Sequence, residues 1–154
     1  MSKAIDHLMK VHRPKQKIQN NRLRSVIVSI YLTKFVPCGD PANANGGRWL
    51  LTFGSPDMKL DDLWQETLLG MIGDCFSHDS DPQPLSRFIT GCVVSIRVRG
   101  HKMGLWLSEA QNPNIVREIG RRWKSMMNLP STIRIQFETH NESGSAQQKP
   151  IYEE

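Results

Sequence analysis

The stretch that decides the fold runs from Gly91 to Ser108 and reads GCVVSIRVRGHKMGLWLS. Apolar and polar residues alternate on both sides of Gly100-His101, and glycine at the first position of a two-residue loop favours a β-hairpin with a type II′ turn. With that turn, Arg99 would lie opposite Lys102. One face of the hairpin is then apolar and predicts the core side, formed by Val94, Ile96, Val98, Met103, Leu105 and Leu107.

The other face of this hairpin carries positive charge. Arg97, Arg99 and Lys102 lie on it with Trp106, grouped around Gly104, which the predicted register places opposite Arg97. Cross-strand neighbours are about 5 Å apart and same-face neighbours about 7 Å apart, so the three cations could reach one di- or triphosphate. Trp106 adds an aromatic surface, and the face therefore predicts nucleotide binding. The alternative is an ordinary solvated sheet face whose tryptophan is covered by a loop.

The rest of the chain predicts an α+β fold. Helix start and stop signals flank two amphipathic segments, and the remaining apolar segments alternate as strands do. Because antiparallel strands are separated by helices, we expect one antiparallel sheet with the helices on one face. The predicted strands are 25–35, 48–53 and 133–137, and the predicted helices are 60–76 and 112–130.

Composition limits the class of protein. The chain has 154 residues, 38% hydrophobic and 23% charged, which suits one folded domain. No apolar run reaches the roughly 18 to 20 residues of a membrane helix, and no signal peptide pattern opens the chain. Three cysteines without CxxC spacing favour reduced thiols in a cytoplasmic protein that could also be nuclear. Two of them, Cys75 and Cys92, fall at positions expected to face the core.

The net charge of +5 belongs to the N-terminus. Residues 1–24 hold seven Lys or Arg and one acid, which gives +6, so residues 25–154 carry 13 bases, 14 acids and a charge of −1. We therefore expect a disordered basic arm at 1–24, a single domain at 25–140 and a flexible polar tail at 141–154. A solvated arm and an RNA-contacting or targeting arm are both open.

Motifs for catalysis are missing from the sequence. It contains no nucleophile elbow, Gly-rich phosphate loop or HExxH. His78, Asp79 and Asp81 have the chemistry of metal ligands but match no metal-binding spacing. The sequence therefore predicts a protein that is not an enzyme, with no catalytic residues, no metal site and no cofactor.

Several short motifs occur in the order found in the eukaryotic translation initiation factor 4E family, which binds the mRNA 5′ cap. They are Gly46-Gly47-Arg48-Trp49, 63–69 (LWQETLL), Ile72-Gly73, Gly91-Cys92-Val93-Val94 with Arg97, Lys102, Trp106, Ile119-Gly120-Arg121 and Leu129-Pro130. From about residue 40 to 140 the chain resembles this family. The resemblance implies a monomer with a curved antiparallel sheet, helices on its convex face and the 7-methylguanosine cap in its concave face.

The resemblance also assigns cap-binding residues. Arg97 and Lys102 match the cations that hold the cap triphosphate, and Arg99 stands where another basic residue is usual. Arg48 matches an arginine that supports the phosphates, and Trp106 matches the tryptophan that contacts the methyl group on the guanine. Capped mRNA is the ligand this implies.

A partner surface on the first helix is implied as well. Glu66, Leu69 and Gly73 match positions that bind an initiation scaffold protein of the factor 4G type or 4E-binding proteins, and Gln65 replaces a usually apolar residue. A second apolar stripe on this helix, made of Leu69, Ile72 and Phe76, fits that role. The alternative is a helix buried on two sides.

The chain departs from the family at its N-terminus. No tryptophan precedes Trp49, whereas the family stacks the methylguanine between two upstream tryptophans, and Cys38-Gly39 replaces a Trp-Glu pair whose glutamate reads the guanine. Residues 1–37 resemble nothing in the family, so its N-terminal strands are missing or replaced. Two functions stay open: a cap-binding initiation factor with weakened cap selectivity, or an interaction protein that engages the scaffold or its inhibitors without the cap.

Overall fold

The computed structural model describes residues 25–31, 45–53, 60–97, 100–140 and 151–154, with the backbone alone at 25–31 and 97. The predicted basic arm at 1–24, Arg99 and Cys38 lie outside the described residues. Neither helix among the described residues has the length and apolar character of a membrane span.

Six strands of the described residues form one antiparallel sheet, which confirms the predicted α+β class. In spatial order they are β1 (Ser25–Tyr31), β3 (Ile89–Arg97), β4 (His101–Leu107), β2 (Gly47–Phe53), β5 (Gln136–Thr139) and β6 (Tyr152–Glu153). The predicted strand at 25–35 is thus present as β1, and its backbone pairs with β3 along seven residues. Because β2 lies between β4 and β5, the segment that opens the family resemblance is an interior strand.

The hairpin of β3 and β4 has the predicted faces but a different register. Lys102 pairs with Ser95 rather than with Arg99, and Trp106 pairs with Gly91. The register therefore differs by four residues, and the connection is longer than the predicted two-residue turn. Gly100 has a φ of 130°, a conformation that glycine accepts and other residues avoid.

Two α-helices and a short 3₁₀ helix complete the described structure. Helix α1 spans Leu60–Ile72, the 3₁₀ helix spans Leu85–Phe88, and helix α2 spans Pro113–Met126. The predicted start of α2 is confirmed, because the Asn112 side chain accepts hydrogen bonds from the backbone N–H groups of residues 114 and 115. Pro113, at the first helical position, has no backbone N–H and therefore needs no hydrogen-bond acceptor there.

Both helices pack on the same face of the sheet, which we call the helix face. The Trp49 indole of β2 donates a hydrogen bond of 2.9 Å to the backbone carbonyl of Val116 in α2. A Cβ atom at Gly120 would lie 2.5 Å from the Trp49 ring, so glycine alone lets α2 approach this closely. On α1, the buried Thr67 hydroxyl accepts a 3.0 Å hydrogen bond from the Trp123 indole of α2. These contacts fix the two helices to the sheet and to each other.

The end of α1 differs from its prediction. The helix stops at Ile72 instead of Phe76, and Asp74 adopts a left-handed φ of 54°. Cys75, predicted to face the core, is exposed, whereas Phe76 is buried. Cys92 is buried as predicted, and burial raises the pKa of its thiol.

Part of the predicted flexible tail is an ordered strand. Tyr152 and Glu153 form β6, which pairs with Phe137 and Gln136 of β5. The backbones of Ile135 and Glu154 continue this ladder with hydrogen bonds of 3.0 and 3.1 Å in both directions. The expectation of a mobile tail is therefore wrong for residues 151–154, and residues 141–150 lie outside the described residues.

Candidate functional site

The sheet face turned away from the helices, here called the open face, carries the predicted binding residues. Strand alternation brings Arg48, Leu50 and Thr52 of β2 beside Trp106, Gly104 and Lys102 of β4. The opposite side of the same strands faces the helices and is apolar: Trp49, Leu51, Phe53, Met103, Leu105 and Leu107. The division into a polar face and a core face was therefore predicted correctly, except that Ile96, expected on the core side, is 40% exposed.

One end of the open face holds two pairs of side chains in contact, Arg48 with Glu138 and Trp106 with His140, which together we call the Arg48 cluster. Arg48 donates to Oε2 of Glu138 from Nη2 at 3.1 Å and from Nε at 3.4 Å. The Trp106 and His140 rings lie 4.9 Å apart, tilted by 51°. Trp106 is only 8% exposed, so its ring forms the floor of this end rather than a freely accessible surface.

Lys102 lies at the other end of the open face. It is exposed, and its cross-strand partners Thr52 and Ser95 carry no charge. Four residues of β4 separate it from Trp106, which is about 13 Å at the usual strand rise. Position 97 follows Ser95 by two residues and ends β3, so it lies at the Lys102 end of the sheet.

The structure thus divides the predicted site into two parts. Lys102 and position 97 are at one end, whereas Trp106 and Arg48 are at the other. The predicted pairing of Gly104 with Arg97 is wrong, because the register places Val93 opposite Gly104. A Cβ atom there would lie 3.1 Å from the Val93 side chain and 3.4 Å from that of Leu50. The centre of the open face is therefore apolar.

Two residues of the Arg48 cluster were missed from the sequence, Glu138 and His140. Their signal was present, because Ile135 and Phe137 alternate into the core and so turn residues 136, 138 and 140 to the open face. The alternation could not predict which strand lies next to β5. Only the fold shows that β5 pairs with β2 and so places Glu138 opposite Arg48.

The pKa of His140 is lowered to about 4, first by burial and second by the charge of Arg48. An ordinary histidine in the unfolded chain has a pKa near 6.5. The imidazole is therefore neutral at pH 7 in the folded protein, and the charge of the cluster is set by Arg48 and Glu138.

The His140 shift predicts a pH-dependent stability. Between pH 6.5 and 4 the unfolded chain binds a proton at His140 that the folded protein does not, so the free energy of unfolding falls as the pH is lowered through this window. With solvent screening, this loss should be about 1–2 kcal/mol. Denaturant unfolding at pH 7 and pH 5 measures it, and His140→Gln should reduce the pH dependence by that amount. Equal pH dependence in both proteins would contradict the shift.

The predicted partner residues form an exposed strip on α1, which we call the α1 outer surface: Gln65, Glu66, Leu69, Ile72 and Gly73. Leu69 and Ile72 are 54% and 53% exposed, which is unusual for large apolar side chains in a folded domain. The opposite side of α1 buries Thr67, Gly70 and Met71. The alternative of a helix buried on two sides is therefore wrong, although Phe76 leaves the strip for the core.

A partly buried ion pair fixes the loop beyond α1. Arg122 donates to both carboxylate oxygens of Asp81, at 2.6 and 2.7 Å, and to the backbone carbonyl of Phe76 at 2.8 Å. Arg122 holds the pKa of Asp81 well below its usual range. Asp81 is thus a tether between this loop and α2.

Comparison with known proteins shows which family the chain resembles. The family model described as Eukaryotic initiation factor 4E matches residues 28–153. Eukaryotic translation initiation factor 4E-1B of Danio rerio is 39% identical over 108 residues, which are 69% of this chain and 48% of that protein. The chain therefore spans about half the length of the curated relatives it matches.

Two solved structures have the same fold. One is a complex of C. elegans eIF4E-3 with the 4E-binding protein Mextli and cap analog, with a TM-score of 0.72 and 28% identity, covering 89% of this chain and 75% of that chain. The other is a schistosome eIF4E complexed with m7GpppG and 4E-BP, with a TM-score of 0.72 and 27% identity, covering 99% of this chain and 78% of that chain.

The six-stranded antiparallel sheet of the described residues, with two helices on one face and basic and aromatic side chains on the other, defines an α+β domain. The chain belongs to the eukaryotic initiation factor 4E family. The match begins at residue 28, so the expectation that residues 1–37 resemble nothing in the family is wrong for 28–37. That stretch includes the part of β1 from Val28 onward.

Proposed function

We propose that this protein binds the mRNA 5′ cap through its open face, as an initiation factor with weak selectivity for the methylated guanine. The observation that carries the proposal is the placement of Arg48, Lys102 and Trp106 on one face of the sheet, opposite the helices. The similarity to solved family members in complex with cap analogues supports it. The role is binding, and the proposal assigns no catalytic residue.

Phosphate attraction supplies most of the affinity in this proposal. Lys102 is exposed at the end of the face where β3 ends with Arg97, and charge-assisted contacts to phosphate contribute roughly 1.5–3 kcal/mol each. Trp106 offers little of its ring to a base, because it is 8% exposed and lies beside His140. Neither tryptophan of the family's methylguanine sandwich has a counterpart before Trp49.

Weak selectivity is a measurable prediction. Stacking contributes about 1–3 kcal/mol per base contact, so two missing stacks remove roughly 2–6 kcal/mol of base recognition. We expect 7-methylguanosine triphosphate and GTP to bind the full chain within about tenfold of each other, a difference of about 1.4 kcal/mol. Retention on immobilised cap analogue, with each nucleotide as competitor, gives the ratio.

The same assay separates the proposal from its rivals. ATP is the matched control for the base, because it keeps the triphosphate and changes the ring. A preference of several hundredfold for the methylated guanosine would contradict weak selectivity. Absence of binding to all three nucleotides would refute cap binding altogether.

A second function is favoured by the α1 outer surface. Leu69 and Ile72 lie on the same side of α1 at helical spacing, both more than half exposed, and they could pack against one apolar stripe of a partner helix. We propose that an initiation scaffold of the factor 4G type or a 4E-binding protein docks there. If the protein does not bind the cap, this surface would still bind those partners. The protein would then act as an interaction protein that competes for them.

A further inference from the structure

The Arg48–Glu138 ion pair bears on how the open face binds anions. Arg48 and Glu138 are direct partners in the β2–β5 ladder, and two guanidinium nitrogens donate to the same carboxylate oxygen. Their side chains are 32% and 18% exposed, so the pair is partly shielded from water. A guanidinium that the family resemblance assigns to phosphate is therefore held by a carboxylate of the same chain.

We propose that Glu138 limits the affinity of the open face for anions, because its carboxylate competes with ligand phosphates for Arg48 and directs them towards Lys102. This inference rests on the proposed function only for the nature of the ligand, a nucleoside triphosphate. Glu138 acts through Arg48 and is a positioning residue.

The electrostatics of the two ends support this assignment. A phosphate that approaches Arg48 must displace the Glu138 carboxylate, with loss of its charge-assisted hydrogen bonds, or stay beside it with like charges together. Either route lowers the affinity. At the other end, Lys102 forms no ion pair with any described residue, and its neighbours Thr52 and Ser95 are neutral. The phosphates therefore bind there first.

His140 provides an independent signal for the state of Arg48. Its ring lies against Trp106 in the same cluster, and the positive charge of Arg48 contributes to the lowering of its pKa. An anion bound at Arg48 would offset that charge and raise the pKa of His140. The imidazole resonances thus distinguish phosphate at Arg48 from phosphate at Lys102.

The test compares Glu138→Gln with Glu153→Gln in the full chain. Both substitutions raise the net charge by one, but Glu153 pairs with Arg134 and Gln136 at the outer edge of the sheet, away from Arg48. The probe is inorganic tripolyphosphate, titrated calorimetrically. We expect E138Q to bind it about fivefold more tightly than the unsubstituted protein, which is ~1 kcal/mol, and E153Q to differ by less than twofold.

Two further measurements test whether the increased affinity of E138Q for tripolyphosphate arises at Arg48. Adding Arg48→Gln to E138Q should remove the whole increase, because the increase depends on a released guanidinium. In E138Q, tripolyphosphate should raise the pKa of His140 measured by NMR, whereas the unsubstituted protein should show a smaller change at the same occupancy. A merely structural role for Glu138 would produce neither result.

The outcomes are decisive in each direction. If E138Q binds tripolyphosphate no more tightly than E153Q, including the case in which neither binds, the inference is overturned. It is also overturned if E138Q weakens 7-methylguanosine triphosphate but not GTP, because the carboxylate would then contact the methylated base. A fivefold gain without retention on cap analogue upholds the inference and refutes the proposed function. Retention on cap analogue without a gain in tripolyphosphate affinity overturns the inference and supports the proposed function.

Discussion

Leu69→Arg is expected to abolish binding of a helical partner peptide while leaving nucleotide affinity unchanged. Leu69 is 54% exposed on α1, so an arginine there should cost little for folding but would place a charge in the apolar contact with a partner. We expect at least a hundredfold loss of affinity, about 2.7 kcal/mol or more. Calorimetric titration with a peptide of the 4E-binding type measures it.

A matched variant tests whether the loss is specific to the α1 outer surface. Ile151→Arg makes the same chemical change at a side chain that is 45% exposed beside the β5–β6 edge. It should bind the peptide normally. Normal peptide binding by soluble, folded Leu69→Arg protein would show that this surface is not the docking site.

The second large effect concerns the phosphate end of the open face. Replacing Arg97 and Lys102 together by alanine should lower nucleotide affinity by roughly 10²- to 10⁴-fold, because two charge-assisted contacts contribute about 3–6 kcal/mol if they add. The salt dependence of the remaining binding should fall as well. Fluorescence titration with 7-methylguanosine triphosphate at two ionic strengths measures both quantities.

The control for this variant removes the same charge elsewhere. Arg121→Ala with Lys124→Ala also lowers the net charge by two, but both residues lie on α2, which packs on the helix face. This pair should bind nucleotide within about twofold of the unsubstituted protein. Equal affinities for the two double variants would refute the assignment of the phosphates to Arg97 and Lys102.

Hydrophobic alternation predicted the faces of the sheet but not the register of the hairpin. The observed pairing of Lys102 with Ser95 differs from the predicted pairing with Arg99 by four residues. An even shift keeps every side chain on its face, so the apolar pattern is satisfied by both registers. The true register is fixed by contacts of high sequence separation, such as the pairing of β3 with β1.

The Arg48–Glu138 ion pair was not predicted either, because it too depends on contacts between residues far apart in the sequence. Glu138 lies 90 residues from Arg48, and no local pattern indicates that β5 is the neighbour of β2. The site predicted from the sequence therefore lacked its acidic residue. By contrast, the start of α2 depends on residues 112–115 alone, and it was predicted correctly.

Helical periodicity failed where the helix stopped. A helix continued to residue 76 would have turned Cys75 to the core and Phe76 outward with Leu69. Instead, α1 ends at Ile72 and the chain turns at Asp74, so Phe76 enters the core and Cys75 leaves it. A left-handed residue at that turn removes the periodicity on which the prediction depended.

The interlocking of Gly120 with Trp49 has an evolutionary consequence. A larger residue at position 120 cannot arise while tryptophan stays at position 49, since its Cβ atom would overlap the indole. A smaller residue at position 49 cannot arise first without loss of the hydrogen bond to Val116 and a cavity beneath α2. Each single step is therefore selected against. We expect lineages to inherit these two positions as a unit, even where the residues of the open face have diverged.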